Sequence, residues 1–159
     1  KPEFQRAKTD ALRLLRFRPR SVKEMIQRLK QKCHRSFIIA RVVDELEENK
    51  LLDDRAFAKL WIGDRINLKP SGRSLLVREL KSKGVDDAVI EGAFNEFRGA
   101  YDEYGIARPL ALKKAERLKG IDKEIAKKRL MDFLSRRGFS YNTIWRILKE
   151  IYRDGQIEE

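Results

Sequence analysis

Apolar residues in this chain recur at helical spacing, and the same arrangement of them appears three times. The segments LKQKCHRSFIIARVVDEL, LKSKGVDDAVIEGAFNEF and LSRRGFSYNTIWRILKEI align on Leu29, Leu80 and Leu134. Ten residues after each anchor stand Ile39, Ile90 and Ile144. Thirteen and fourteen residues after it stand Val42 and Val43, Ala93 and Phe94, and Ile147 and Leu148. Leu46, Phe97 and Ile151 follow at seventeen. These offsets fall on one face of a helix. Four and three residues before the anchors stand Met25 and Ile26, Leu76 and Val77, and Leu130 and Met131, which mark a second amphipathic helix. A further helical segment precedes each pair: ALRLLRFR from Ala11, AFAKLWIGDRI from Ala56 and LALKKAERLKG from Leu110.

The pattern predicts an all-α chain of three tandem three-helix repeats, covering residues 1–54, 55–104 and 105–159. No stretch sustains the alternation of a strand. A short helical unit buries its apolar face poorly alone, and stacking neighbours solves this. With helices packed 8–10 Å apart, the stack is expected to be an elongated, curved rod on the order of 60–80 Å long.

Helix ends are marked as well. Ser21 with Glu24 forms a capping box. Asp53 and Asp54 are placed to cap the helix holding Phe57, Leu60 and Trp61, and Asp122 the KEIAKKRL helix. Gly84 and Gly138 end their second helices where a left-handed C-cap excludes a side chain. Cys33 takes that place in the first copy, so a different turn is expected there. Pro19 and Pro70 fall between first and second helices, where proline is tolerated.

Composition narrows the function. A net charge of +12 with 39% charged residues would permit disorder, but 42% hydrophobic content at regular spacing argues for a packed core. The excess of cations points to an acidic partner: nucleic acid, an acidic protein surface or a membrane face. No apolar run approaches the ~20 residues that span a bilayer, and no signal peptide is visible. The single cysteine, Cys33, excludes an internal disulfide and fits a reducing compartment, the cytoplasm. Cys33 beside the single histidine, His34, cannot close a zinc site, so no metal and no cofactor is expected. There is no Walker-type phosphate loop and no triad around His34. Asp53–Asp54 reads as a helix cap before it reads as a Mg²⁺ site. The expected protein is not an enzyme.

The second helix is basic in every copy. Six cations, Arg20, Lys23, Arg28, Lys30, Lys32 and Arg35, stand against Glu24 in the first. Arg73, Arg78, Lys81 and Lys83 stand against Glu79 in the second. The third has Lys123, Lys127, Lys128, Arg129, Arg136 and Arg137 against three acids. Helix C-termini favour cations, which accounts for Lys81, Lys83, Arg136 and Arg137, but not for the threefold recurrence. A basic stripe following a phosphate backbone or an acidic groove is the expectation. The aromatic residues that could stack on bases are Phe17, Phe37, Trp61, Tyr101, Tyr141, Trp145 and Tyr152; Tyr141 and Phe17 flank basic turns and are expected to be exposed, whereas Phe57, Trp61, Phe94 and Phe97 have core spacing.

Three stretches carry a resemblance: ALRLLRFRPRS (Ala11 to Ser21), LLDDRAFAKLWIGDR (Leu51 to Arg65) and GRSLLVRELKSKGVDDAVIEGAF (Gly72 to Phe94). With their Arg-Pro-Arg-Ser entry, Leu-Asp-Asp-x-x-Phe-Ala junction and Glu-Leu-x-x-Lys-Gly turn, they resemble the RecX family, bacterial modulators of the RecA recombinase in recombination, DNA repair and the SOS response. The resemblance implies a non-enzymatic regulator lying in the helical groove of the RecA filament on single-stranded DNA. It would block extension, promote disassembly, and reduce strand exchange, ATP hydrolysis and co-protease activity. Its partners would be the RecA filament, single-stranded DNA and, weakly and without sequence preference, duplex DNA; it would act as a monomer away from membranes. The implied contacts are Arg18, Arg20, Arg28, Lys32, Arg65, Lys69, Arg73, Arg78, Lys81, Lys83, Lys128, Arg136 and Arg137. The competing reading is a DNA-binding protein of tandem helix-turn-helix-like units; a third is a helical scaffold that binds neither partner.

Overall fold

Every amphipathic segment of the sequence becomes a helix in the computed structural model, which describes residues 1–97 and 101–153. Among the described residues there are nine helices and no strand. The first repeat holds α1 (Pro2–Phe17), α2 (Val22–Gln31) and α3 (Ser36–Glu48). The second holds α4 (Asp54–Asn67), α5 (Arg73–Ser82) and α6 (Asp87–Glu96), and the third α7 (Glu103–Arg117), α8 (Lys123–Arg136) and α9 (Tyr141–Ile151).

Two first helices are longer than their apolar pattern suggested. α1 opens with Pro2 in its first turn, where the missing N–H costs nothing. α7 opens at Glu103 and carries Pro109 inside it, the residue that hid its first turns from a sequence reading. An interior proline costs about 3 kcal/mol. Packing of Tyr104, Ile106 and Ala107 against the third repeat's core offsets that cost.

The chain forms two compact units, Lys1–Trp61 with Glu79–Glu96 and Ile62–Arg78 with Phe97–Glu159, and α4 and α5 of the middle repeat contribute to both. In the first unit, Ala7 and Ala11 of α1 are wholly buried with Met25 and Leu29 of α2 and with Ile39, Val42 and Leu46 of α3. The second unit repeats the device: Ala107 and Ala111 of α7 meet Leu130 and Leu134 of α8 and Ile144, Ile147 and Leu148 of α9. Alanines one turn apart let the first helix approach closely, while each buried leucine or isoleucine contributes roughly 1.5–3 kcal/mol. The three anchor leucines, Leu29, Leu80 and Leu134, are fully buried.

All three second helices end in the same turn. The N–H of the residue after each left-handed position donates to the anchor carbonyl: His34 to Leu29 (3.2 Å), Val85 to Leu80 (3.1 Å) and Phe139 to Leu134 (3.2 Å). Cys33, Gly84 and Gly138 donate in turn to Lys30, Lys81 and Ser135 at 2.9–3.0 Å. This is a Schellman motif. Cys33 adopts it with φ 62°, beside 79° at Gly84 and 83° at Gly138, so the expectation of a different first turn is corrected. The reason lies in what each turn touches. A Cβ on Gly84 would sit 2.3 Å from the Lys23 side chain, and one on Gly138 would sit 2.4 Å from Leu75 Cβ and 2.5 Å from its nitrogen. Cys33 is exposed, so its side chain has only the backbone strain to bear.

Those close approaches are joints between successive repeats, one in each unit. Ser21, eight residues before its anchor, donates its hydroxyl to the Lys83 carbonyl at 2.6 Å. Gly72, eight before its own anchor, donates its N–H to the Arg137 carbonyl at 2.8 Å. Lys83 and Arg137 are equivalent, each three residues past an anchor. Thus the start of one second helix seats on the end of the next, where partly positive N–H groups face partly negative carbonyls. An acid from the following first helix adds a second bond: Val22 N–H donates to Asp54 at 2.9 Å and Arg73 N–H to Glu103 at 3.5 Å. Only Asp53 caps its own helix, accepting from Arg55 and Ala56. Asp54 is engaged with α2 instead, which corrects the expectation that both acids cap α4. Burial raises the Asp54 carboxyl, and the Val22 N–H only partly counters it.

The capping box at Ser21 is present in full. Its Glu24 also receives Arg18 (2.9 Å) and Lys83 (2.9 Å). Burial alone would raise the Glu24 carboxyl, but the bonds from Arg18, Lys83 and the Ser21 N–H outweigh it and bring the pKa down to about 2. Asp122 caps α8 by accepting from Ile125 N–H.

Two outcomes are expected. Gly138→Ala lowers stability by about 2 kcal/mol or more, from left-handed strain and the clash with Leu75, whereas Cys33→Gly causes no loss; equal melting temperatures for Gly138→Ala and the parent would contradict the joint. Glu24 has a depressed folded pKa, so its contribution is full above pH ~4.5 and fades as pH falls toward ~2. Glu24→Gln should therefore cost on the order of 3 kcal/mol in urea unfolding at neutral pH and nearly nothing at pH ~2.

Candidate functional site

The cations on the second helices divide by what already holds them. Arg20 is only 8% exposed and donates Nε to the Leu14 carbonyl, so it ties the α1–α2 connection and is not presented to a partner. Arg18 and Lys83 converge on Glu24 in the first joint. Arg137 donates twice to the Pro70 carbonyl, at 2.6 and 3.1 Å, in the second. Lys32 lies 3.6 Å from Asp10, which also bonds His34 at 2.8 Å. Lys81 pairs with Asp87 at 3.1 Å across its own turn. Arg65 and Arg73 are half-buried and have partners within the protein.

A second group is exposed and open: Arg28 on α2, Lys69 before α5, Arg78 on α5, and Lys128 and Arg136 on α8. Among the described residues, none of these five forms an ion pair. Arg28 bonds only Gln31, at 3.3 Å, on its own helix. Every repeat thus keeps at least one second-helix cation whose charge is not neutralised by a neighbouring acid. Such groups can dock onto phosphates or carboxylates without first breaking an internal ion pair.

The aromatic residues sort similarly. Phe57 and Phe94 are buried, and Trp61 donates its indole N–H to Glu79 at 2.7 Å. Phe17 and Tyr141 are exposed, as the basic turns beside them suggested. Trp145, one turn beyond Tyr141 on α9, is exposed too and stacks on it. Both residues are among the aromatic candidates of the sequence; what it did not show is that they stack on each other, for which their four-residue spacing beside Ile144, Ile147 and Leu148 was the available signal. Among the described residues, no group of three or more His, Cys, Asp or Glu is placed to hold a metal ion, and no helix is long and apolar enough to cross a membrane.

Comparison with known proteins gives this arrangement relatives. Family models for the first, second and third three-helix domains of RecX match residues 7–46, 53–93 and 101–148. A protein named Regulatory protein RecX from Chlorobium phaeobacteroides (strain BS1) is 36% identical over 143 residues, covering 90% of this chain and 91% of the relative. One of the same name from Prosthecochloris aestuarii is 37% identical over 149 residues, covering 94% and 95%. One from Amycolatopsis mediterranei is 31% identical over 151 residues, covering 95% and 86%. The crystal structure of RecX from Lactobacillus salivarius superposes with a TM-score of 0.82 at 23% identity, covering 94% of this chain and 97% of that one, a likeness of fold. Sustained identity across all three repeats, on a shared all-helical architecture, leads to one conclusion: the chain belongs to the RecX family.

Proposed function

We propose that this chain is a non-enzymatic modulator, mainly an inhibitor, of a bacterial RecA recombinase. It binds in the helical groove of the RecA filament on single-stranded DNA, blocks extension and promotes disassembly, and so lowers strand exchange, ATP hydrolysis and co-protease activity. It works as a monomer in the cytoplasm, and its repeats, residues 1–54, 55–104 and 105–159, each bring one basic second helix to the partner. The observation that carries this reading is identity to regulatory RecX proteins along nine-tenths of the chain. The open cations support it physically. An assembly of recombinase on DNA offers both carboxylates and phosphates, and Arg28, Arg78, Lys128 and Arg136 are free to meet either.

Docking through charge has a consequence for the rest of the basic residues. Arg18, Arg20, Lys83 and Arg137 act on the partner only through the fold, because their donors are already engaged. Lys32, Lys81, Arg65 and Arg73 would have to exchange an internal partner for an external one, which reduces what each contributes.

The test is ATP hydrolysis by the cognate RecA on single-stranded DNA with this protein added below stoichiometry. Turnover is expected to fall. The triple variant Arg28→Glu, Arg78→Glu, Lys128→Glu should need about tenfold more protein for the same inhibition, with unchanged helicity by circular dichroism. Unaltered potency of the variant would remove the open cations from the interface. Unaltered turnover with the parent protein would favour the direct DNA-binding reading, in which one duplex is preferred by ~10³ or more over random sequence.

A further inference from the structure

The third repeat carries a feature that its packing does not use. α9 turns Ile144, Ile147 and Leu148 inward. On its outer side Tyr141, Trp145 and Lys149 follow one another at four-residue intervals. Tyr141 is 71% exposed and Trp145 44%. Their rings are nearly parallel, 10° apart, with centroids separated by 6.3 Å. The Lys149 ammonium stands 5.1 Å from the Trp145 ring centre. Opposite them α8 supplies Lys127, Lys128 and Met131, and the two helices enclose a groove of about 220 Å³. Glu124 is the one acid among the residues lining it.

We propose that this α8–α9 groove is a binding site for single-stranded nucleic acid, in which Tyr141 and Trp145 stack on unpaired bases while Lys127, Lys128 and Lys149 face the adjoining phosphates. The chemistry selects the occupant. Exposed, near-parallel aromatic faces suit flat bases of any identity, and lysines along both walls suit a polyanion. A duplex keeps its base faces inside its own stack and meets the lysines alone. Exposed aromatic pairs also anchor protein interfaces, but such an interface centres on rings buried among apolar neighbours and depleted of charge. Here Met131, Ile144 and Leu148 also line the groove, but lysines stand on both of its walls, a charge that the core of a protein interface excludes and a phosphate backbone attracts. The inference deepens the filament reading, on which it rests in placing single-stranded DNA within reach of the protein, by naming the side chains that would touch the bases.

Fluorescence anisotropy with a labelled oligothymidylate of about fifteen nucleotides tests it without any recombinase present. Tyr141→Ala and Trp145→Ala should each weaken binding about tenfold, and Trp145→Phe should retain most of it. A duplex of the same length should bind the parent and the alanine variants alike. An abasic strand should bind the parent as weakly as thymidylate binds the variants. Both residues are exposed, so the circular dichroism of the two alanine variants should match that of the parent. Equal thymidylate affinity of parent and Trp145→Ala would overturn the proposal, as would equal losses on thymidylate and duplex. If Trp145→Ala bound thymidylate normally but no longer slowed RecA turnover, the groove would hold a protein segment. That result would sink the inference while leaving the filament reading in place. A tenfold loss on thymidylate supports the inference even if turnover inhibition by the parent is absent.

Discussion

A helix that ends in a left-handed turn leaves a carbonyl pointing outward, and in the second and third repeats that carbonyl is where the start of the preceding repeat's second helix attaches. The Lys83 carbonyl takes the Ser21 hydroxyl, and the Arg137 carbonyl takes the Gly72 N–H. Everything else about the joints follows from how close these groups must come. Glycine at positions 84 and 138 leaves room for Lys23 and Leu75. Acids at the start of α4 and α7 reach the first N–H groups of α2 and α5, so the approaching helix ends are satisfied by the following repeat. A repeat protein whose neighbours are joined by backbone hydrogen bonds is held in register more strictly than one joined by apolar contact alone.

The joints also decide how the positive charge is used. Basic residues three positions past an anchor, Lys83 and Arg137, are drawn into the connection, as are Arg18 and Arg20 at the entry to α2. Charge left open lies within the second helices, on Arg28, Arg78, Lys128 and Arg136. One composition bias therefore serves two purposes. Cations that flank the helices, Arg18, Arg20, Lys83 and Arg137, close the structure, whereas Arg28, Arg78, Lys128 and Arg136, which lie within the helices, form no ion pair among the described residues.

Much of this was legible in the sequence. The anchor leucines, the apolar faces of α3, α6 and α9, and the capping residues Ser21, Asp53 and Asp122 announce themselves because their effects are local. Three features escaped for a physical reason each. Cys33 looked unable to copy the glycine turn, because sequence shows the strain of a left-handed side chain but not whether a neighbour crowds it. Asp54 looked like a cap because it stands at a helix start, yet its partner Val22 is thirty-two residues away. Pro109 masked the first turns of α7 because tertiary burial, which offsets an interior proline, leaves no local mark. Candidate contacts were harder still. Arg20 and Arg78 are indistinguishable as letters, and only burial separates the one that holds the chain from the one that faces solvent.

In each unit the start of one second helix is locked onto the turn that ends the next. Native-state amide hydrogen exchange at Gly72 measures this directly, because Gly72 precedes α5 and its N–H has no partner within that helix. If the joint holds, the Gly72 amide exchanges as slowly as the core amides of α8 and opens only with unfolding of its unit. Exchange at the rate of an ordinary loop amide, with α8 still protected, would contradict the claim.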